Sequence, residues 1–318
     1  MDADEDAHAR DAAESCDIDI ASVLLEAMNM RPLNALKERH PSKFNAEICF
    51  GDATLSIRQT PGAATGLRAS NGGTVWNCAK ALTRYLEACG AAEFRARRVV
   101  EVGAGVGLCG IAAATLGARV TLTDKRGMVD LLRDNIDANA RAIAAAGGEA
   151  AADAMAWGQP MHSLYRVDSL DGACTVLASD TVYHRADGEN LLYTMARLCG
   201  MDAPCRSVLD APLPNAADEG ADANLDALPV WNGGSSMCES PPGLGTAILS
   251  YKLRDDYPCG GVFAKAARLF ALYAVARDEW CDDAAWSTQY LIRMVPLPAH
   301  EVERRAAETA AALAAMHA

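Results

Sequence analysis

The sequence lacks the cysteine spacing that usually marks a zinc site or a secreted disulfide scaffold. Its eleven cysteines are scattered along 318 residues, no Cys-x-x-Cys pair occurs, and the six histidines do not cluster with them. Zinc binding is therefore not supported, and we predict no metal site. Because the number of cysteines is odd and some fall inside predicted core elements, we expect reduced thiols, as in a cytosolic or nuclear protein.

The sequence also has little positive charge and no long apolar run. It contains 29 lysine and arginine residues against 42 aspartate and glutamate residues, a formal net charge of −13. This excess of negative charge argues against binding to the phosphate backbone of nucleic acids. No apolar stretch approaches the length of a bilayer span, and the acidic N-terminus is unlike a signal or transit peptide. We expect a soluble, cytoplasmic and in part also nuclear monomer that binds neither nucleic acid nor membranes.

A glycine-rich loop between two short β-branched runs is the most informative stretch. The pattern predicts a buried strand at Val99–Val102, a small-residue helix at Leu108–Leu116 and a second strand at Val120–Thr123. Such a β-loop-α-β unit lets backbone N–H groups approach a ligand. A tight turn in an unrelated α/β protein is the alternative interpretation.

The spacing of the glycines separates two classes of adenosine-cofactor proteins. A dinucleotide-binding loop, G-x-G-x-x-G, needs its third glycine three residues after the second, but here Gly107 comes only two residues after Gly105. G-x-G-x-G preceded by an acid resembles the first motif of class I (seven-β-strand) S-adenosylmethionine-dependent methyltransferases. In that family the loop wraps the methionine end of the cofactor, and the acid that ends the second strand bonds both ribose hydroxyls. The resemblance implies S-adenosyl-L-methionine as cofactor, bound by Glu101, Gly103, Ala104, Gly105 and Asp124.

Two tryptophan motifs narrow the resemblance to one branch of these enzymes. The string from Gly73 through Trp76 to Leu82 is similar to the Gly-x-x-Trp-x-x-[Ala/Ser]-x-x-Leu signature of the methyltransferase-like protein-lysine methyltransferases, family 16. Trp157-Gly158 resembles the Leu-x-Trp-Gly string that ends the third strand in that family. The resemblance implies that Trp76 contacts the methionine moiety of the cofactor and that Trp157 covers the adenine. Ordinary core or rim packing is the alternative for each tryptophan.

A second strand end carries the residues expected to perform the chemistry. Thr175–Ala178 is a predicted buried strand, and Asp180-Thr-Val-Tyr183 follows it. Asp-x-x-Tyr at this point resembles the shared signature of the family, in which Gly-Ala-Asp is usual, so this chain departs from the pattern at Ser179. The resemblance implies that the Ser179 backbone faces the cofactor, that Asp180 accepts a hydrogen bond from the substrate amine, and that Tyr183 forms a pocket wall. The alternative is an acid that caps the next helix.

The remaining segments complete the expected fold class. We predict an α/β, Rossmann-like, seven-stranded, mostly parallel sheet with helices on both faces, an antiparallel seventh strand and an N-terminal β-hairpin that turns at Gly51-Asp52. The expected organisation is an acidic, poorly ordered extension at 1–44, a methyltransferase domain at 45–298 with a long loop insertion at 201–245, and a C-terminal helix at 299–318.

Three finer predictions concern particular elements. A helix is expected from Gly127 to about Ala145, and within it Asn135 and Asn139 share one face, either as a structural tie to neighbouring backbone or as exposed polar residues. Near the C-terminus we expect a helix from Val262 to about Phe270, followed by a short strand at Ala274–Ala276.

The resemblance implies a protein-lysine N-methyltransferase that acts by in-line methyl transfer to a deprotonated lysine amine, with a protein as its partner. A small-molecule or other-residue methyltransferase on the same core, or a non-catalytic cofactor-binding interaction module, are the alternatives. Nucleic-acid amino-methyltransferases have an Asn/Asp-Pro-Pro-aromatic string at the position of Asp180–Tyr183. This chain has Asp-Thr-Val-Tyr there and lacks the two prolines. Methylation of DNA or RNA bases is therefore disfavoured.

Overall fold

The computed structural model describes most of the chain beyond residue 44. The described residues are 45–60, 71–159, 174–183, 185–201, 205–211, 213, 225–231, 241–254, 260–277, 280 and 288–316. The extension expected at 1–44 lies outside them. Among the described residues, no helix combines the length and the apolar character that a membrane crossing requires.

An antiparallel hairpin opens the described chain. It consists of β1 (Asn45–Phe50) and β2 (Ala53–Arg58), joined by the turn at Gly51-Asp52. Gly51 has a φ of 54°, which the tight turn requires and which glycine adopts at little cost. Alternate side chains such as Ile48 and Leu55 are buried, so one face of the hairpin packs on the core. The predicted hairpin is confirmed.

The central sheet has seven strands in the order β5-β4-β3-β6-β7-β9-β8. The first five strands in this order are parallel, and β9 runs antiparallel to both of its neighbours. This arrangement confirms the predicted fold class. The strands are β3 (Arg98–Val102), β4 (Arg119–Asp124), β5 (Glu149–Ala154), β6 (Thr175–Ser179), β7 (Thr246–Lys252), β8 (Phe270–Ala274) and β9 (Gln289–Pro296).

The strand order brings β3 and β6 together at the centre of the sheet. The chain runs outward from β3 through β4 to β5 and then crosses back to pair β6 with the other side of β3, with Val102 opposite Ala178. Open α/β sheets bind ligands where the strand order reverses in this way. The carboxyl ends of β3 and β6 therefore lie side by side at the expected ligand-binding edge.

Helices cover both faces of the sheet, and alternate residues of β3 contact the two layers. Val99 packs in the cluster that contains the hairpin, while Val100 and Val102 pack in the cluster on the opposite face. The described helices are α1 (Asn77–Cys89), α2 (Ala91–Phe94), α3 (Leu108–Ala114), α4 (Val129–Ala138), α5 (Ala140–Ala145), α6 (Arg185–Leu198), α7 (Cys205–Asp210), α8 (Gly260–Ala266) and α9 (Ala299–Met316). The last of these lies within the range expected for the C-terminal helix.

Two predicted helices have different bounds in the structure. The helix expected from Gly127 begins with a 3-10 turn and is divided at Asn139 into α4 and α5. The helix expected to reach Phe270 ends at Ala266, and β8 begins at Phe270 instead of Ala274. Phe270 pairs with Pro296 of β9 and is fully buried there, so burial on the sheet outweighs local helix propensity.

The segment expected to be a loop insertion at 201–245 contains ordered structure in its described residues. Helix α7 buries Val208 and Leu209 in the core on one face of the sheet. Nη1 of the buried Arg268 donates to the carbonyl oxygens of Val208 (3.0 Å) and Ala211 (2.7 Å), so a distant side chain satisfies carbonyl groups at the end of this helix. A helix of six residues shows too little periodicity to be predicted from the sequence.

Asn135 and Asn139 bind the free edge of the hairpin. The Asn135 amide accepts the Arg58 N–H at 2.8 Å and donates to the carbonyl oxygens of Arg58 (3.1 Å) and Val106 (2.8 Å). The Asn139 amide accepts the Ser56 N–H at 2.9 Å and donates to the Ser56 carbonyl oxygen at 2.8 Å. The two amides thus act as a strand partner for β2, and both residues are buried. The structural alternative for this pair is confirmed.

Replacing Asn135 by Asp tests this amide clamp. Asp has the same shape, but its carboxylate cannot donate to the Arg58 and Val106 carbonyl oxygens and brings a negative charge beside them. We expect Asn135→Asp to lower the free energy of unfolding by about 2–4 kcal/mol at neutral pH, measured by urea denaturation.

The matched control is Asp137→Asn, an exposed position on the same helix. Its unfolding free energy should change by less than about 0.5 kcal/mol. If both variants unfold at the same urea concentration as the parent chain, the clamp does not stabilise the fold.

Candidate functional site

Four adjacent strand ends gather the predicted site residues. The loop after β3 contacts the acid at the end of β4, because the Gly105 N–H donates to Asp124 Oδ2 at 2.8 Å. The same loop lies against Trp157, just beyond β5, and against Thr181, just beyond β6. The carboxyl ends of β3, β4, β5 and β6 therefore lie side by side at one edge of the sheet, where open α/β sheets bind ligands.

The backbone geometry of the loop requires glycine at two of the predicted positions. Gly103 and Gly105 have φ values of 65° and 58°, in the left-handed region that other residues adopt only with strain. A Cβ on Gly103 would lie 2.8 Å from Thr181 Cγ2 and 2.9 Å from the Trp157 ring. A Cβ on Gly105 would lie 2.9 Å from the Gly72 carbonyl oxygen. Only glycine lets these neighbours approach the loop so closely.

Asp124 is positioned by two backbone groups and keeps acceptor capacity. Its Oδ2 accepts the Gly105 N–H at 2.8 Å and its Oδ1 accepts the Lys125 N–H at 2.7 Å. A carboxylate offers about four lone-pair sites, so each oxygen can accept a further hydrogen bond. Burial raises the pKa of Asp124, and the hydrogen bonds from Gly105 and Lys125 partly offset this rise. The residue remains an acceptor for hydroxyl groups at the strand edge.

Glu101 and Ala104 face the interior. The Ala104 N–H donates to the Thr123 carbonyl oxygen at 2.9 Å, which ties the loop to β4. Glu101 is 1% exposed, and its Oε2 accepts the Gly110 N–H of α3 at 2.7 Å. Burial raises the pKa of Glu101 from 4.5 to about 8, and the nearby charge of Asp124 adds to the rise. Glu101 holds α3 against the sheet, and its contact with the cofactor stays a prediction.

Trp157 lies against the glycine loop, and the chain that leads to Trp76 contacts the same loop. Trp76 precedes α1 and is 45% exposed, and its carbonyl oxygen accepts the N–H groups of Ala79 and Lys80. The chain just before it approaches the loop where Gly72 contacts Gly105. Trp157 is partly buried against Gly103. The contacts of both indoles with a cofactor stay predictions.

The Gln59 side chain holds the segment that leads to Trp76. Gln59 Oε1 accepts the Val75 N–H at 2.8 Å, and the Thr60 N–H donates to the Gly73 carbonyl oxygen at 2.8 Å. These bonds connect the end of the hairpin with the chain that approaches the glycine loop. No sequence motif points to Gln59, because its partner is a backbone group 16 residues away.

Asp180 occupies a strained backbone position beside β7. Its φ is 53°, and its N–H donates to the Ser250 carbonyl oxygen at 2.9 Å. Its carboxylate forms an ion pair with Arg254, just beyond β7. The buried thiol of Cys78 lies close to both side chains, and burial followed by the charge of Asp180 raises the pKa of that thiol well above its ordinary value. A strained residue with a charged partner at a ligand-binding edge is typical of a functional site.

Ser179 and Tyr183 bracket this acid. Ser179 is partly buried at the end of β6, close to the Cys109 thiol of α3. Tyr183 is partly buried three residues after Asp180. The structure therefore places both predicted residues at the same edge as the glycine loop.

Arg254 and Thr181 were not predicted as site residues. The sequence signals only that a strand ends near a basic residue at Arg254, and its partner lies 74 residues away. Thr181 is 5% exposed, and its Oγ1 makes no hydrogen bond with the described residues. Within that same part of the chain, no group of three or more His, Cys, Asp or Glu residues could hold a metal ion.

Comparison with known proteins gives one family and several close relatives. The family described as lysine methyltransferase matches residues 54–210. The chain is 36% identical over 154 residues to protein N-lysine methyltransferase METTL21A of Mus musculus. The aligned residues make up 48% of this chain and 65% of that protein. It is 35% identical over 156 residues to EEF1A lysine methyltransferase 3 of Mus musculus, 49% of this chain and 61% of that protein.

The coverage differs among relatives. The chain spans slightly less than two thirds of the length of these two mouse proteins. It spans 72% of METTL21A of Danio rerio, with 34% identity over 173 residues, or 54% of this chain. Among solved structures, a TehB-like SAM-dependent methyltransferase from Corynebacterium glutamicum aligns with a TM-score of 0.41 and 12% identity, covering 72% of this chain and 91% of that one.

The raised pKa of Glu101 predicts how stability depends on pH. Between pH 4.5 and about 8 the folded chain keeps a proton on Glu101 that the unfolded chain has lost. The free energy of unfolding therefore decreases as the pH rises through this range. Glu101→Gln stays neutral and still offers an oxygen to the Gly110 N–H. We expect its melting temperature to fall less than that of the parent chain between about pH 5 and about pH 9.

The control for this measurement is Glu303→Gln, an exposed position on α9. Its melting curve should follow that of the parent chain at each pH. Parallel pH profiles for Glu101→Gln and the parent chain would show that the buried carboxyl does not take up a proton on folding.

Proposed function

This chain belongs to the lysine methyltransferase family, and on that basis we propose that it transfers a methyl group from S-adenosylmethionine to a lysine side chain of a protein. The observation that carries the proposal is the adjacency of two strand ends. The glycine loop after β3 contacts Thr181, and Asp180 directly precedes that residue at the end of β6. This adjacency supports a cofactor-binding role for the loop and an acceptor-binding role for the acid beside it.

The residues at this edge fit S-adenosylmethionine by their chemistry. Asp124 offers carboxylate oxygens to a ribose diol, and its hydrogen bonds with the Gly105 and Lys125 N–H groups leave lone pairs on each oxygen. The Trp157 ring beside Gly103 provides an apolar surface for a purine. The close approach of Gly72 to Gly105 narrows the loop where the methionine end would lie. The bound cofactor supplies a methyl group on a cationic sulfur.

The side chains beyond β6 would orient the acceptor. Asp180 accepts a hydrogen bond from the lysine nitrogen and so directs its lone pair toward the methyl carbon, while Tyr183 limits where the amine can lie. A free lysine is protonated at neutral pH, so the nitrogen must release a proton to water before it attacks. As the new carbon–nitrogen bond forms, the carbon–sulfur bond breaks and its electron pair stays on sulfur. The chain thus acts mainly by positioning and by excluding bulk water.

We also propose a substrate class, an oligomeric state and a cellular location. The substrate is a protein, and the chain acts on it as a monomer in the cytoplasm, in part also in the nucleus. The net charge of −13 supports attraction of a basic protein surface over a nucleic acid. Gel filtration with light scattering tests the monomer, and cell fractionation tests the location.

Gly103→Ala tests the cofactor loop. A Cβ there forces Trp157 or Thr181 to move, in addition to the strain of a positive φ. We expect the affinity for S-adenosylhomocysteine, measured by isothermal titration calorimetry, to fall by about tenfold or more, since contacts worth over about 1.4 kcal/mol are displaced.

Gly147→Ala is the matched control, because Gly147 also has a positive φ of 74° but no atoms within 4 Å of the added Cβ. It should lose comparable backbone stability and keep its affinity for S-adenosylhomocysteine. Equal affinities for Gly103→Ala and the control would remove the loop from the binding site.

Asp180→Asn tests the transfer step. The purified chain is incubated with methyl-labelled S-adenosylmethionine and a lysate of the source cells, and label is expected in a protein band. Asp180→Asn should keep its affinity for S-adenosylhomocysteine and transfer label at least about a hundredfold more slowly, because the amine is no longer oriented by a carboxylate.

The exposed Asp137→Asn variant should label proteins at the parent rate. Label confined to small molecules would favour the small-molecule alternative. A chain that shows neither heat of binding nor a thermal shift with the cofactor would overturn the proposed function altogether.

A further inference from the structure

The pairing of β6 with β7 brings a permanent cation to Asp180. Ser179 lies opposite Ser250 in the sheet, and the Asp180 N–H continues the ladder to the Ser250 carbonyl oxygen at 2.9 Å. Two residues after β7 ends, the Arg254 guanidinium meets the Asp180 carboxylate. The aspartate side chain is 9% exposed and the arginine side chain 24%, so this ion pair is shielded from bulk water on most sides.

The charge of Arg254 does not depend on pH in the range where proteins are stable. Burial alone would lower its pKa, but the hydrogen bond and charge of Asp180 outweigh that effect, and the pKa is raised. A guanidinium cannot lose its proton in proteins. The neighbouring Cys78 thiol also stays neutral, because burial raises its pKa well above its ordinary value. Asp180 is therefore freed only when Arg254 moves away.

The guanidinium and a substrate lysine present the same chemistry to Asp180. Each is a cation on an aliphatic stem that donates hydrogen bonds to a carboxylate oxygen. Two cations at one carboxylate repel each other at short range, and a partly buried site screens that repulsion less than water does. A lysine ammonium can therefore bind Asp180 fully only in place of Arg254.

We propose that Arg254 determines substrate specificity by occupying, in the chain without substrate, the position on Asp180 that the lysine ammonium takes. This inference rests on the proposed function and adds to it a mode of substrate entry. A lysine must displace the guanidinium, and the displaced Arg254 retains a partner, because its Nη1 already lies 3.3 Å from the Lys252 carbonyl oxygen.

This exchange explains how an acidic pocket can reject free cations. While Arg254 is in place, the carboxylate carries no uncompensated charge to attract small amines or metal ions. A lysine displaces the guanidinium only when the protein around it contributes binding energy elsewhere on the surface. Arg254 would thus restrict methylation to lysines presented by a docked partner.

The test uses n-butylammonium, which has the four-carbon stem and charge of a lysine side chain. Its binding to the chain saturated with S-adenosylhomocysteine is followed by NMR titration. We expect Arg254→Gln to bind it about fivefold more tightly or better than the parent chain, because removing a competing ion pair of about 1 kcal/mol or more favours the incoming cation. Gln can still donate a hydrogen bond to Asp180, so the carboxylate is not left unpartnered.

Two variants and one ligand serve as matched controls. Arg254→Lys keeps a competing cation and should bind n-butylammonium as weakly as the parent chain. Asp180→Asn combined with Arg254→Gln should lose the gain. Uncharged n-butanol should bind the parent chain and Arg254→Gln equally, and the melting temperature of each variant reports an intact fold.

The outcomes separate this inference from the proposed function. Equal or weaker binding of n-butylammonium to Arg254→Gln would overturn the inference even if the parent chain methylates proteins. Tighter binding to Arg254→Gln, lost in the double variant, would support the inference even if no protein in the lysate accepts label. A gain of the same size for n-butanol would also overturn it, because charge would not be the cause.

Discussion

The pairing of β3 with β6 is the interaction on which the rest of the site depends. This pair joins the part of the chain that runs outward through β4 and β5 to the part that crosses back to β6. Its register, with Val102 opposite Ala178, sets the glycine loop and Asp180 at the same level. A slip of one residue would turn every buried side chain of a strand to the other face, so packing on both layers enforces the register.

Electrostatic compensation shapes the same edge of the sheet. Glu101 is neutralised below the loop by its raised pKa, whereas Asp180 is neutralised beside the loop by a guanidinium. The first acid is sealed in the interior and serves the packing of α3. The second retains some exposure and forms an ion pair with Arg254. Burial and charge therefore assign different tasks to two acids that look alike in the sequence.

The hairpin belongs to the architecture of the site although it lies outside the central sheet. Asn135 binds both the hairpin edge at Arg58 and the loop carbonyl of Val106, so one amide connects the two. Gln59 then holds the segment that brings Gly72 to Gly105. Through these side chains the N-terminal strands position Trp76 near the glycine loop. The hairpin thus supports the site from outside the sheet.

Local patterns in the sequence were enough to predict the class of fold and the glycine loop, and the family resemblance added the acid that ends β4 and the Asp-x-x-Tyr stretch. Each of these depends on residues close together in the chain, where strand periodicity and glycine spacing act directly. The bounds of α8 and β8 could not be established in this way, because Phe270 is placed by its pairing with β9. The six-residue α7 was hidden for a similar reason, since the cation at its end comes from Arg268.

The partnerships that complete the site join residues far apart in the chain. Arg254 reaches Asp180 across 74 residues, and Asn135 reaches Arg58 across 77. No local pattern signals such a pair, because each of these polar side chains is also common on a solvent-exposed surface. Whether an acid is neutral, paired or free depends on what surrounds it after folding. Sequence motifs thus predicted the candidate site residues, and long-range packing set their charges and partners.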